Sequence, residues 1–195
     1  GATPVREGME YGVVDRVPAV GGQQLTLRGK FGDYEDIFLP LMGAHQAQNA
    51  AAALAAVESF LGGGVDVERG PLSIDAVREG FAAVTSPGRL EVVRRSPTVI
   101  VDAAHNPAGA HALALGLQDS YTFSHVIGVI AILGDKDASG MFAHFSEVFD
   151  EVVLTRNESV RSRDPQDLLP AALVHFEQER ISLAVDLQSA VEEAI

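Results

Sequence analysis

The sequence predicts an α/β protein in two unlike parts, a small antiparallel β-meander with helices and then a doubly wound, mostly parallel sheet covered by helices on both faces. Three observations point there. Residues 9–41 hold short strand-like segments punctuated by glycines, whereas beyond residue 98 nearly continuous apolar runs such as "HVIGVIAIL" alternate with helical patterns. Between the two regimes stands "TSPGRLE", whose Pro87-Gly88 breaks any helix.

The elements follow in order. "MEYGVVDRVPAVGGQQLTLRGKFGDYEDIFLPL", Met9 to Leu41, reads as three strands, with turns at Gly21-Gly22 and at Gly32-Asp33. On this reading Gly29-Lys30-Phe31 falls inside a strand pattern. "GAHQAQNAAAALAAVESFLGG" then spaces His45 and Asn49 at i and i+4 and continues as an alanine-rich helix, stopped at Gly62-Gly63-Gly64. A second helix is expected from Ser73 to Ala83, with Ser73 as its N-cap. The boundary near Ser86 divides the chain into residues 1–86 and 87–195. In the second part, strands are expected near 90–95, 98–102, 125–133, 150–155 and 181–185, and helices starting near Pro107, Ala138, Pro165 and Leu187.

Composition narrows the class of function. A chain of 195 residues, 47% hydrophobic, can bury a core. A net charge of −13, spread along the chain, repels polyanions and argues against sequence-independent nucleic-acid binding. A small anion such as a nucleotide needs only a local cradle of amides and one or two cations, so the global charge does not exclude it. The chain has no cysteine, hence no disulfide or thiolate chemistry. No apolar run approaches the roughly 20 residues that span a bilayer, and "GATPVREGMEYG" lacks a signal-peptide layout, so a soluble cytoplasmic protein without membrane partners is expected.

The chemistry concentrates in "TVIVDAAHNPAGAHAL", Thr98 to Leu113, at the mouth of a strand-to-helix turn. In a parallel sheet this is where ligands bind. An Asp closing a buried strand can accept hydrogen bonds from a ribose diol, and a His beside a helix N-terminus can donate to a phosphate oxygen. Pro107 suits a first helical position. Local structure offers a second account, in which Asp102 caps the turn and Asn106 is the helix N-cap; it leaves His105 unexplained. "GDKD", Gly134 to Asp137, sits at another strand end.

"LMGAHQAQNAAAAL", "TSPGRLE", "VIVDAAHNPAGA" and "GDKD", in that order, resemble the motifs of folylpolyglutamate synthase and dihydrofolate synthase within the Mur ligase superfamily. The likeness covers nearly all of the chain. It implies the end of a central ATPase domain over residues 1–86 and a Rossmann-like carboxyl-terminal, glutamate-side domain over 87–195, incomplete at its end. It also implies an ATP-dependent ligase that adds L-glutamate to folate through an acyl phosphate with Mg²⁺. By this resemblance Asn49 approaches adenine, Arg89 reaches the ATP phosphates, Asp102 holds the ribose, and His105, the catalytic candidate, lies near the phosphates and the incoming glutamate. Lys136 and Asp137 face the interdomain cleft. No metal ligand is assigned to these residues, because the family's metal-binding carboxylate, modified lysine and folate surface lie upstream.

Several residues carry plainer readings. Asn49 can be a surface residue, Arg89 can pair with Glu91, and Lys136 can form a surface ion pair with its flanking aspartates. His111, His125, His144 and His175 lack metal-ligand spacing. "VRSRDPQDL" reads as a solvated turn with Asp164 as an N-cap. The phosphate-cradling G-x-x-x-x-G-K-[ST] loop is missing from the sequence. Two alternatives therefore stand beside the folate ligase, another Mur-type amino-acid ligase of cell-wall synthesis and a non-catalytic nucleotide-binding module. The chain is expected to be inactive alone and to need the amino-terminal ATPase portion as its partner.

Overall fold

The computed structural model describes residues 4–61 and 70–195, and the chain forms two compact units that divide between Glu91 and Val92. Each unit has its own core.

In the first unit, β1 (Gly12–Ala19), β2 (Gly22–Arg28) and β3 (Asp33–Leu39) form an antiparallel sheet in sequence order. Helices α1 (Ala44–Leu61) and α2 (Ile74–Ala82) complete it. The strand period of two turns Leu25 and Leu27 inward with Tyr34, Ile37 and Leu39. They meet Ala47, Ala50, Ala51 and Leu54, one face of α1 at i, i+3, i+4 and i+7, together with Val77 of α2. The expected stop at Gly62-Gly63-Gly64 lies outside the described residues. Ser73 does precede α2, but its side chain makes no capping bond.

One expectation fails here: residues 29–31 are not part of a strand but belong, with Gly32, to the turn between β2 and β3. The cause is a buried carboxylate. Glu58 of α1 is 1% exposed and accepts the Lys30 N–H, so that amide turns inward instead of across a ladder. Gly29 lies against the same carboxylate, where a Cβ would stand 2.5 Å from Glu58 Oε2. The Tyr34 hydroxyl donates to Glu58 Oε1 at 2.7 Å and accepts the Leu72 N–H at 2.7 Å, so every partner in this apolar setting is matched.

In the second unit, β6 (Ile127–Ile130), β7 (Glu151–Leu154) and β8 (Ile181–Leu183) form a parallel sheet in sequence order. They alternate with α3 (Pro107–Ser120), α4 (Ala138–Phe145), α5 (Pro165–Ala172) and α6 (Leu187–Ala194), as the apolar runs predicted. Val153 and Ala184 pack with Ala190 of α6, while α5 packs on β7 and β8. Phe142, Phe145, Leu154, Leu168 and Phe176 are buried as well. No described helix is long and apolar enough to cross a membrane.

Two further expectations need correction. The strand expected over 125–133 is shorter, because residues beyond Ile130 leave the ladder to bond with the segment after β7 through Arg163 N–H to Ile132 O at 3.0 Å. The strand ahead of Asp102 is not buried either. It is β5 (Thr98–Val101), which pairs only with β4 (Glu91–Arg95) among the described strands, and Val101 is 44% exposed. A cavity of about 580 Å³ is lined by Thr98 and Ile100 of β5 as well as by residues of β6.

Candidate nucleotide and glutamate site

Asp102 follows β5 directly. Its Oδ1 accepts the Ala104 N–H at 2.8 Å, which tightens the chain into an Asx turn. Asn106 then takes an extended conformation (φ −153°, ψ 167°), its Oδ1 accepts the Gly109 N–H at 2.7 Å, and Pro107 opens α3. The capping account of Asp102 and Asn106 therefore holds locally. His105 has no such duty. It is exposed, with Nδ1 3.0 Å from the Ala103 carbonyl oxygen. A carbonyl only accepts, so Nδ1 carries the proton and Nε2 is the atom left to accept a proton or, once protonated, to donate.

The Gly134–Asp137 loop leads from β6 into α4. Asp137 is the N-cap, with Oδ1 accepting the Gly140 N–H at 2.9 Å. Lys136 Nζ lies 3.1 Å from Asp135 Oδ2, the surface ion pair of the plainer reading, and an exposed pair of this kind contributes little stability. The bond from Lys136 holds the Asp135 carboxyl below the usual carboxylate range, helped by the charge of Arg161.

These two motifs meet. A Cβ on Gly140 would stand 2.8 Å from Cγ of Pro107, so α3 and α4 begin side by side. Two helix N-termini then present their amide ends near His105 and Lys136, an arrangement that favours anions.

The sequence reading missed one contributor. Asp164 does cap α5, its Oδ1 accepting the Gln166 N–H at 2.9 Å, yet the turn before it is not merely solvated. Arg163 donates from Nη2 to the Gly134 carbonyl at 2.7 Å, and Arg161 Nη1 lies 3.9 Å from Asp135 Oδ1. Topology was the available signal, since loops that leave neighbouring parallel strands at the same end lie side by side.

Asn49 and Arg89 belong to the first unit. Asn49 is exposed on α1, and its Nδ2 donates to Gln46 Oε1 at 3.2 Å. Arg89 sits in a tight turn between Gly88 (φ +69°) and Leu90 (φ +47°). Its Nη1 donates to the Gly88 carbonyl at 3.0 Å, and the Gly88 N–H donates to Glu91 Oε2 at 2.8 Å. A left-handed leucine costs about 1–2 kcal/mol. Burial of its side chain, 3% exposed, offsets that cost.

Among the described residues no group of three His, Asp or Glu side chains converges to hold a metal ion. Asp102 and Asp137 are also committed to backbone amides. These residues do not build a Mg²⁺ site.

A three-stranded parallel sheet with the Gly134–Asp137 turn after β6, and two helices, α3 and α4, that begin side by side, define an α/β domain of the doubly wound kind. Residues 88–195 match the family model described as Mur ligase, glutamate ligase domain, and the chain belongs to that family. Over 193 residues it is 51% identical to the dihydrofolate synthase/folylpolyglutamate synthase of Mycobacterium tuberculosis, an alignment covering 99% of this chain and 39% of that protein. The solved structure of M. tuberculosis folylpolyglutamate synthase complexed with ADP superposes with a TM-score of 0.92 at 51% identity, covering 97% of this chain and 41% of that one. Escherichia coli FolC in complex with DHPP and ADP gives a TM-score of 0.78 at 28% identity, covering 97% and 40%. The chain thus spans about two-fifths of the length of these relatives.

Proposed function

We propose that this chain is part of an ATP-dependent ligase that joins L-glutamate to a folate acceptor, with residues 87–195 as the glutamate-side domain and residues 1–86 as the end of the ATPase domain. The observation that carries this reading is the meeting of the Asp102–Pro107 turn with the Lys136–Gly140 segment at two helix N-termini. The ligands in the relatives' solved structures, ADP and DHPP, support it.

In this reading ATP transfers its terminal phosphoryl group to the folate carboxylate, and ADP departs. The amino group of glutamate attacks the acyl phosphate, inorganic phosphate leaves, and an amide remains. Asp102 accepts from ribose hydroxyls, Asn49 contacts adenine, and Arg89 offers its planar fork to phosphate. His105 Nε2 donates to the transferring phosphate when protonated, or takes a proton from the attacking ammonium when neutral. Lys136 attracts a carboxylate of the incoming glutamate, and Asp137 fixes its loop. Mg²⁺, when bound, would neutralise phosphate charge, with its ligands mostly on the amino-terminal ATPase portion. Catalysis is by positioning and electrostatics, without a covalent nucleophile.

The test is glutamate-dependent ADP release by the full-length ligase, offered a pteroate acceptor or a cell-wall nucleotide precursor. Turnover with the pteroate alone, strongly reduced in Asp102→Ala and His105→Ala, is expected. Wild-type turnover in both variants would overturn the assignment, and a preference for the cell-wall precursor would move the chain to another branch of the family.

A further inference from the structure

Gly134 opens the loop that carries Lys136, and both of its backbone polar groups are taken by the segment after β7. Its N–H donates to Arg161 O at 2.8 Å, and its carbonyl accepts from Arg163 Nη2 at 2.7 Å. The Arg163 backbone is itself fixed, since its N–H donates to Ile132 O at 3.0 Å and the next residue, Asp164, caps α5 ahead of the buried Pro165. Further along the loop, Lys136 N–H donates to Leu133 O at 3.1 Å, while its Nζ is held by Asp135, which faces Arg161 as well.

Resting on the ligase reading above, we propose that Arg163 is a positioning residue for glutamate: its guanidinium clasps the Gly134 carbonyl and so sets the loop that aims Lys136. The loop leaves a strand end and is held there by a single antiparallel bridge, Leu133 to Ser162. The clasp adds to that bridge one charged donor anchored on the cap of α5. A guanidinium hydrogen bond is stronger than a neutral one. Lysine, one bond shorter, still supplies a charged donor toward the same carbonyl, whereas methionine keeps the aliphatic stem and supplies none.

The test compares Arg163→Met and Arg163→Lys with wild type in two measurements. Amide hydrogen exchange in this 195-residue chain is expected to quicken at Gly134 and Lys136 by roughly ten-fold in Arg163→Met, the size of one lost charged hydrogen bond, and to stay near wild type in Arg163→Lys. In the full-length ligase, KM for glutamate is expected to rise by a similar factor in Arg163→Met with KM for ATP unchanged, and to recover in Arg163→Lys. Unchanged exchange in Arg163→Met would overturn the clasp. Faster exchange with unchanged KM for glutamate would overturn the positioning role and leave the ligase reading intact. A wild-type ligase without glutamate-dependent turnover would overturn the ligase reading and the positioning role with it, while the exchange data would still report on the clasp. A rise in both Michaelis constants, unrescued by lysine, would mean general loosening and would also overturn it.

Discussion

Gly140 seats Pro107: the ring Cγ lies 2.8 Å from where a Cβ on residue 140 would be, and no other residue type leaves that space. This contact ties the start of α4 to the start of α3. Gly140→Ala is expected to crowd the capping carboxylate of Asp137 as well as Pro107, and to destabilise the chain by about 1–3 kcal/mol, the usual cost of overpacking. Thermal unfolding measures that loss. In the full-length ligase the same variant is expected to lower turnover, because the Asp102–Pro107 turn moves with the proline. An unaltered melting temperature would refute the contact.

The Tyr34–Glu58 pair sets a test at high pH. Burial, with the hydrogen bond to Glu58 second, pushes the Tyr34 hydroxyl up to about 12. A raised pKa means the folded state holds its proton more tightly than the unfolded chain, whose tyrosine titrates near 10. The contribution is therefore full below about pH 10 and is lost as pH rises toward 12, a loss of about 2–3 kcal/mol. Tyr34→Phe is expected to flatten this alkaline limb in equilibrium denaturation. It also costs about 1–3 kcal/mol at pH 7, because Glu58 and the Leu72 N–H each lose a partner.

Asn106 caps α3 through its side-chain oxygen. Asn106→Ala is expected to cost about 1 kcal/mol, and Asn106→Asp to cost little, since aspartate accepts the same bond and suits the positive end of the helix. Chemical denaturation of the two variants separates them.

Gly88 holds φ at +69°, beside Arg89. Gly88→Ala places a Cβ in the left-handed region at a cost of about 1–2 kcal/mol and is expected to shift the Arg89 turn. In the full-length ligase KM for ATP should rise with KM for glutamate unaffected. Equal KM for ATP would separate Arg89 from nucleotide binding.

Much of the second unit was legible in the sequence. Asn106-Pro107 and Asp164-Pro165 each place an N-cap before a proline at the first helical position, and both helices start there. What escaped depends on partners distant in sequence. The turn at residues 29–32 is dictated by Glu58, 28 residues beyond Lys30, and a buried glutamate on an alanine-rich helix carries no local mark. Arg163 looked like a solvated cation because its acceptor, Gly134 O, is 29 residues away. The exposure of β5 follows from strand pairing, which its apolar residues alone do not specify. In the site itself, Asp102, Asn106 and Asp137 were legible as polar groups at strand and helix ends, and their capping bonds follow from those positions.

The most direct measurement is calorimetric titration of Mg-ATP into the full-length ligase, its Asp102→Ala and Arg89→Ala variants, and this chain alone. If Asp102 and Arg89 each contribute to ATP binding as proposed, binding occurs in the full-length protein, weakens in both variants, and is weak or missing in the chain alone. Wild-type affinity in both variants would contradict the claim, and so would tight, Asp102-dependent binding to the chain alone, the mark of a self-sufficient nucleotide-binding module.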